Sequence, residues 1–183
     1  MNKKEEKTIA LITKALETLL EEKQYSEISI SDIILESTVS RSTFYSHFKK
    51  KDDVLRNVCT SIFNNVFSSS PKLESKEEMP LTFYDYRWMT THIFFRFKEE
   101  RKLIRAIFAS GASHLFYSTL GKEVRNLMSV VLPQIKLKHP HVPDGYIKTA
   151  MSGAFVDLLK DYVVNEHSET AEEMTMYFYS LFE

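Results

Sequence analysis

From Lys4 to Lys23 the apolar positions Ile9, Ile12, Leu16, Leu19 and Leu20 recur at spacings of three and four, with Thr8, Lys14 and Glu21 on the other faces. That period is one stripe of an α-helix. Ser29-Ile30-Ser31-Asp32 then places a hydroxyl three positions ahead of a carboxylate, the arrangement of a capping box, and opens a short run Ile30, Ile33, Ile34 that ends near Glu36. Ser40 is placed to cap a third helix over Arg41 to His47, after which Lys49-Lys50-Lys51 interrupts the period. Asp52 and Asp53 follow where the positive end of a fourth helix favours carboxylates. That helix carries Val54, Leu55, Val58, Cys59, Ile62, Val66 and Phe67 on one broad stripe.

The stripe ends in "SSSPKLESKEEMP", residues 68–80, a polar stretch with prolines at both ends that reads as a loop or boundary. "LTFYDYRWMTTHIFFRF" follows and is apolar nearly all round, as a helix buried between neighbours would be. Arg101 to Ser113 and His114 to Leu132 give two more helical patterns that part near Gly111, and "PQIKLKHPHVPDG" is a second connector. Two last helices run from Asp144 to about Asn165 and from Thr170 to Phe182. Their apolar positions are Ala150, Met151, Ala154, Phe155, Leu158 and Tyr162, then Met174, Tyr177, Phe178 and Leu181. The pattern predicts an all-α chain of about nine helices, without internal repeats.

Composition agrees with this. A chain of 183 residues with 43% hydrophobic content has enough apolar side chains for a proper core in one domain or two small ones. Four glycines and five prolines leave little material for the turns of a sandwich or barrel. No uncharged apolar run is long enough for a membrane span, and the N-terminal stretch interleaves charge with leucine, so a soluble cytoplasmic protein with no membrane partner is expected. Cys59 is the single cysteine, which excludes an intrachain disulfide and a cysteine-rich zinc site. The formal net charge of −1 means that any nucleic-acid footprint is local.

A local footprint exists. "STVSRSTFYSHFKKK", residues 37–51, holds no acidic residue, while the first 51 residues carry eight acidic side chains, mainly in helix one. Two short helices joined by Ser37 to Ser40 and preceded by a longer one make a helix-turn-helix pattern. On the second short helix Phe44 and Phe48 fall on one side, with Ile33 and Leu16 available as partners, and Arg41, Ser42, Tyr45 and Ser46 fall on the others. Ser40, Ser42 and Thr43 are short donors that let a phosphate backbone approach. Arg41 has the fork that bonds a guanine edge bidentately or clamps a phosphate. Tyr45 and His47 offer hydrogen bonds near the helix's far end, Lys51 adds charge at the start of helix four, and Ser29 and Ser31 complete the expected DNA-binding set. Tyr45 has an alternative place in the core, since it neighbours the packing face.

Residues 8–55 resemble the N-terminal DNA-binding domain of the TetR family of bacterial transcriptional regulators. The resemblance is carried by Val39-Ser40-Arg41-Ser42-Thr43-Phe44-Tyr45-Ser46-His47-Phe48, then Lys51, two acidic residues and an apolar pair, with Asp32-Ile33 and Tyr25 in support. It implies a DNA-binding domain over residues 1–51 and an effector-binding and dimerisation domain over residues 52–183. It also implies a repressor that leaves a palindromic operator when a small-molecule effector shifts helix four. The last two helices would form the homodimer interface, with Ala150, Ala154 and Leu158 allowing close approach and Phe155, Phe178 and Leu181 supplying bulk. This chain departs from the family in the turn, where Glu36-Ser37-Thr38 replaces a common alanine and glycine. Ser37 or Thr38 therefore takes a different turn or bears strain. Gln24 likewise stands for a frequent glycine.

Other chemistry finds less support. No G-x-S-x-G elbow, Gly-rich phosphate loop or H-E-x-x-H helix is present, so no enzymatic activity and no cofactor are expected. His139, His141 and Asp144 sit in a proline-bearing connector with no further ligand assured, and no metal site is expected there. Aromatic side chains cluster from Phe83 to Phe97. Either they are core, or Phe83, Tyr86 and Trp88 with Phe108, His114 and Tyr117 surround an effector, as the family resemblance suggests. Two competing functions remain: a DNA-binding adaptor of the same fold whose C-terminal domain recruits a protein partner, and a helical-bundle enzyme or lipid carrier that binds no DNA.

Overall fold

The computed structural model of the chain describes residues 3–67, 86–139, 141–165 and 167–183. The described residues form nine α-helices and no strand: α1 (Lys3–Glu22), α2 (Ile30–Ser37), α3 (Arg41–His47), α4 (Lys51–Phe67), α5 (Tyr86–Glu99), α6 (Arg101–Ala109), α7 (Ser113–Val131), α8 (Asp144–Val164) and α9 (Ala171–Ser180). A single 3₁₀ turn, Leu132–Gln134, follows α7. The described residues of Met1–Ile62 and Lys102–Thr119 pack as one compact unit, and those of Phe63–Arg101 and Leu120–Glu183 as another.

In the first unit α1 packs on α2, and the stripe expected from α1 is buried at Ile12, Leu16, Leu19 and Leu20. Ile28, Ile33, Phe44, Leu55 and Val58 join that core. Within this unit Ser110 and Lys102 both meet the three-helix head. The Tyr25 amide donates to the Ser110 carbonyl at 2.8 Å, and the Lys102 ammonium lies 2.8 Å from Glu21. The second of these is an exposed pair and contributes little. Gly111 takes φ +78°, and this left-handed residue ends α6 at Ala109, earlier than the helix to Ser113 that periodicity predicts. Cys59 is 1% exposed, and burial pushes its thiol up to about 12, so it behaves as a small apolar side chain.

The second unit is built around aromatic rings. Phe94 meets Phe155 at 5.2 Å and Tyr162 at 5.6 Å, Phe155 meets Phe178 at 5.0 Å, and Phe97 lies 6.4 Å from both Phe63 and Phe67. These pairs are tilted or edge-to-face, the arrangement that aromatic quadrupoles favour. Phe155 and Phe178 are 0% exposed within their own chain, so neither supplies bulk to a dimer interface as the sequence pattern suggested. α5 is also less enclosed than expected. It buries Thr90, Ile93, Phe94 and Phe97 but leaves Phe95 half in solvent.

A polar seam crosses the apolar packing between α5 and α9. The hydroxyls of Thr90 and Tyr179 lie 2.8 Å apart, Thr91 donates to Thr175 at 2.9 Å, and Tyr86 donates to the Glu183 carboxylate at 2.5 Å, with Arg87 on the same carboxylate. Residue numbers rise on α5 as they fall on α9, so the seam fixes an antiparallel register. Thr90 and Thr175 also donate to carbonyls one turn back, at Tyr86 and Ala171, which satisfies them when buried. Burial, followed by the Glu183 contact, raises the Tyr86 hydroxyl above its ordinary range.

Thr38 carries the strain foreseen for the turn. It closes α2 in the left-handed region at φ 56° and ψ 21°, and it is the one non-glycine residue with positive φ among the described residues. Its Cβ crowds the following carbonyl in that conformation. Thr38→Gly is expected to stabilise the protein by up to about 1 kcal/mol, the relief of that clash less the extra freedom of an unfolded glycine. A rise in the urea unfolding midpoint checks this, and an unchanged or lower midpoint counts against it.

Candidate nucleic-acid interface

The interface begins at a capped helix. Ser29 accepts from the Asp32 amide at 3.1 Å while the Asp32 carboxylate accepts from the Ser29 amide at 2.8 Å and the Ser29 hydroxyl at 2.7 Å. This is the capping box that the sequence suggested, and it commits the Ser29 hydroxyl to the fold. Ser31, the next expected donor, is exposed. The hydrogen bonds from Ser29, amide first and hydroxyl second, hold the Asp32 carboxyl below the usual carboxylate range, with Lys23 adding to the effect.

Across the turn, the buried Ser37 donates its hydroxyl to the Ile33 carbonyl at 2.6 Å and returns the chain toward α3. Ser40 caps α3 by accepting from the Thr43 amide at 3.1 Å, and its hydroxyl also meets those of Ser42 at 2.9 Å and Thr43 at 2.7 Å. Phe44 is fully buried and Phe48 nearly so, with rings 6.1 Å apart one helical turn from each other. Arg41, Ser42, Tyr45 and Ser46 are exposed on the remaining surface, Thr43 and His47 are half-buried, and α3 carries no acidic residue in its seven positions. Tyr45 is 45% exposed, which removes it from the core. The Arg41 guanidinium lies 5.8 Å from the Tyr45 ring centre, within cation–π range, so the two side chains share one exposed face.

Lys51 is placed differently from the other expected donors. Its ammonium donates to the carbonyls of Tyr25 at 2.6 Å and Ile28 at 2.8 Å and sits 4.4 Å from the Tyr25 ring centre. The start of α4 is closed beside it by Asp53, whose carboxylate accepts from the Lys49 and Lys50 amides at 3.2 and 3.1 Å. Lys49 and Lys50 themselves are exposed. In the sequence Tyr25 only supports the family resemblance, and nothing local signals that it lies under Lys51.

The residues expected around an effector are spread over both units. Phe108 is half-buried and meets Phe116 at 5.6 Å and Tyr117 at 5.1 Å, edge-on in both cases, while His114 is exposed. Tyr86 is held by Glu183, and Trp88 stacks on His92 with ring centres 5.6 Å apart and planes 7° from parallel. Burial, and after it Arg96, lowers the His92 imidazole from its ordinary value. Phe83 lies outside the described residues. No three His, Cys, Asp or Glu side chains among the described residues are grouped to hold a metal ion, and no described helix is long and apolar enough to cross a membrane.

A short, acid-free helix presenting arginine, serine and tyrosine from a buried phenylalanine pair has the size and donor set to enter a major groove. Residues 12–58 match the model of bacterial regulatory proteins of the tetR family, and residues 85–183 match that of a transcriptional regulator C-terminal region of the same family. The chain belongs to the TetR family. As a TetR-family protein it is a DNA-binding transcriptional regulator.

Among its relatives, the HTH-type transcriptional regulator YxbF of Bacillus subtilis (strain 168) is 35% identical over 68 residues, which cover 34% of this chain and 18% of that protein. The HTH-type dhaKLM operon transcriptional activator DhaS of Lactococcus lactis subsp. lactis (strain IL1403) is 35% identical over 61 residues, 33% of this chain and 30% of its own length. The match thus spans less than a third of either relative. A TetR transcriptional regulator from Streptococcus agalactiae 2603V shares the fold with a TM-score of 0.75 at 23% identity, covering 97% of this chain and 94% of that one. The dihydroxyacetone kinase operon activator DhaS does so with 0.65 at 17%, covering 95% and 93%.

The cap at Asp32 has a pH signature. The folded-state carboxyl titrates below its unfolded value, so the stability it contributes is whole above about pH 4 and is lost as pH falls through the lower folded value. Asp32→Asn is expected to flatten the acid limb of the stability curve measured by denaturant unfolding. An acid limb identical to that of the parent counts against this assignment.

Proposed function

We propose that the chain acts as a homodimer whose paired α3 helices lie in successive major grooves of a palindromic operator, about 34 to 36 Å apart or slightly more. The observation that carries this reading is the exposed face of Arg41, Ser42, Tyr45 and Ser46 on a helix anchored by Phe44 and Phe48. Arg41 reads a base edge or clamps a phosphate, Ser42, Thr43, Tyr45 and His47 bond the backbone, and Ser31, Lys49 and Lys50 add contacts at the margins. Residues 1–51 hold the DNA in this reading, while residues 52–183 dimerise and sense.

The dimer uses α8 and α9, through side chains other than the phenylalanines first expected. Tyr146, Ala150 and Gly153 are exposed on α8 at spacings of four and three, and an added Cβ at Gly153 would meet nothing within 4 Å. Met176, Tyr177 and Leu181 are 51%, 47% and 61% exposed on and just beyond α9. Large apolar side chains left in water on neighbouring segments fit an interface between subunits. In this reading an effector is held in the C-terminal region, where half-buried Trp88 stacks on His92, and its binding lowers operator affinity.

Repression is the primary sense of regulation. Activation is the second reading, favoured by the relative named as the dhaKLM operon activator, which is 35% identical over 61 residues. Enriching genomic fragments on the purified protein and placing the recovered promoter before a reporter separates the two. Higher reporter output without the protein supports repression, and lower output supports activation.

Arg41→Ala is expected to weaken binding to the enriched fragment by ~1 to 3 kcal/mol and to relax one base position, as read by competition with single-base variants. Binding equal to that of the parent would remove Arg41 from the interface. Leu181→Asp is expected to yield monomers in sedimentation velocity while the far-ultraviolet helical signal persists. A dimer of unchanged affinity would place the interface elsewhere.

A further inference from the structure

We propose that Lys51 is a positioning residue for DNA binding rather than a phosphate contact: with Tyr25 and Asp52 it latches the start of α4 onto the connector between α1 and α2. The proposal rests on the DNA-binding reading above and deepens it. A lysine four residues past a recognition helix reads from sequence as a charge offered to DNA. The geometry points inward instead.

An ammonium has three protons and no acceptor. Two of Lys51's are spent on the carbonyls of Tyr25 and Ile28 at 2.6 and 2.8 Å, and the Ser26 carbonyl lies at 3.5 Å from the same nitrogen. The cation also rests 4.4 Å from the centre of the Tyr25 ring. That ring is buried, and its hydroxyl donates to the Asp52 carboxylate at 2.5 Å. Reaching for a phosphate would break both short bonds, taking the ammonium from the Ile28 carbonyl and leaving the Tyr25 carbonyl with the Ile28 amide at 3.3 Å, in residues only 1% and 8% exposed. Charge-assisted bonds of this kind are about twice as strong as neutral ones, so a single phosphate contact would have to offset the loss of two of them.

The latch acts on α3 through covalent continuity. Only Phe48, Lys49 and Lys50 separate the end of α3 from Lys51, and the Lys49 and Lys50 amides are pinned to Asp53. With the first turn of α4 held against the residue 25–28 connector, α3 has little freedom to swing. The same Tyr25 gives its amide to Ser110, so the latch also reaches the end of α6 within this unit. Lys51, Tyr25 and Asp52 thereby set the pose of a helix that they do not belong to.

The test uses the full chain and a 40-base-pair duplex enriched from random DNA by the parent protein, with affinity measured by fluorescence anisotropy across a salt series. Removing one phosphate contact lowers the slope of log affinity against log salt by about 0.9. Lys51→Ala is expected to weaken binding about ten-fold at every salt concentration, leaving the slope unchanged. Tyr25→Phe, which keeps the carbonyl and ring but removes the Asp52 bond, is expected to weaken it about three-fold, also in parallel. A flatter slope for Lys51→Ala, or parental affinity for Lys51→Arg together with Tyr25→Phe, would overturn the proposal in favour of a phosphate contact.

Amide hydrogen exchange gives a reading that does not depend on DNA. Lys51→Ala is expected to speed exchange across α2 and α3 about ten-fold while α8 and α9 keep parental rates. Unchanged protection in α2 and α3 would refute the latch even where binding falls. A parent protein without salt-dependent binding would instead refute the DNA-binding reading, leaving the latch to be judged by exchange alone. Should Lys51→Ala fail to fold, Tyr25→Phe carries both measurements.

Discussion

Seven residues make less than two turns of helix, too few for backbone hydrogen bonds to offset the entropy of nucleation. α3 therefore exists because Phe44 and Phe48, one turn apart, bury their rings in the core of the three-helix head. That requirement also writes the chemistry of its other side. Once positions 44 and 48 face inward, positions 41, 42, 45 and 46 share the outward surface, and there the chain places Arg, Ser, Tyr and Ser. Packing decides which side chains meet solvent, and the absence of any carboxylate on that surface lets phosphate approach. Stability and, in the proposed reading, recognition divide one short helix between two faces.

Elements this short leave a large share of their backbone groups at helix ends, where no intrahelical partner exists. The head meets this need with side chains at each reversal. Ser29 and Asp32 close the start of α2, Ser40 closes α3, Asp53 closes α4, and Lys51 supplies donors to the α1–α2 connector. Only the end of α2 lacks an unstrained solution, and there Thr38 accepts a left-handed backbone that glycine would adopt freely. In the second unit the analogous task falls to threonine and tyrosine hydroxyls between α5 and α9. A seam that pairs Thr90 with Tyr179 and Thr91 with Thr175 penalises a one-turn slip, since slipping would take the buried Tyr179 hydroxyl away from Thr90.

Features governed by neighbours along the chain are legible in the sequence. The bounds of α3, the capping box at Ser29 and the burial of Phe44 all follow from period and cap chemistry over a few residues. The orientation of α8 and α9 is not legible there, because both helices are apolar on more than one side. Pattern alone does not say whether Phe155 or Tyr146 faces the chain's own core, and the structure buries the former and exposes the latter at 74%. Lys51 is misleading for a related reason. A lysine in a basic run looks solvated, and the carbonyl cage that holds it is assembled by residues more than twenty positions away. Periodicity places the end of α6 too late since it assigns the break to the residues around Gly111, whereas a left-handed residue withdraws the helix before itself.

The charge distribution makes sense of a DNA-binding chain whose net charge is −1. Glu5, Glu6, Glu17, Glu21 and Glu22 lie on α1, while α3 and the following Lys49 and Lys50 include no acid. On α1 these glutamates are nearly balanced by Lys3, Lys4, Lys7 and Lys14, so in the proposed reading a duplex is drawn to the acid-free surface of α3 rather than to α1, which narrows the range of productive orientations. Lys49 and Lys50 are exposed just past α3, whereas the half-buried Lys51 is tied to the Tyr25 and Ile28 carbonyls. In the proposed reading discrimination comes from hydrogen bonds placed by a well-held α3 more than from the charge around it.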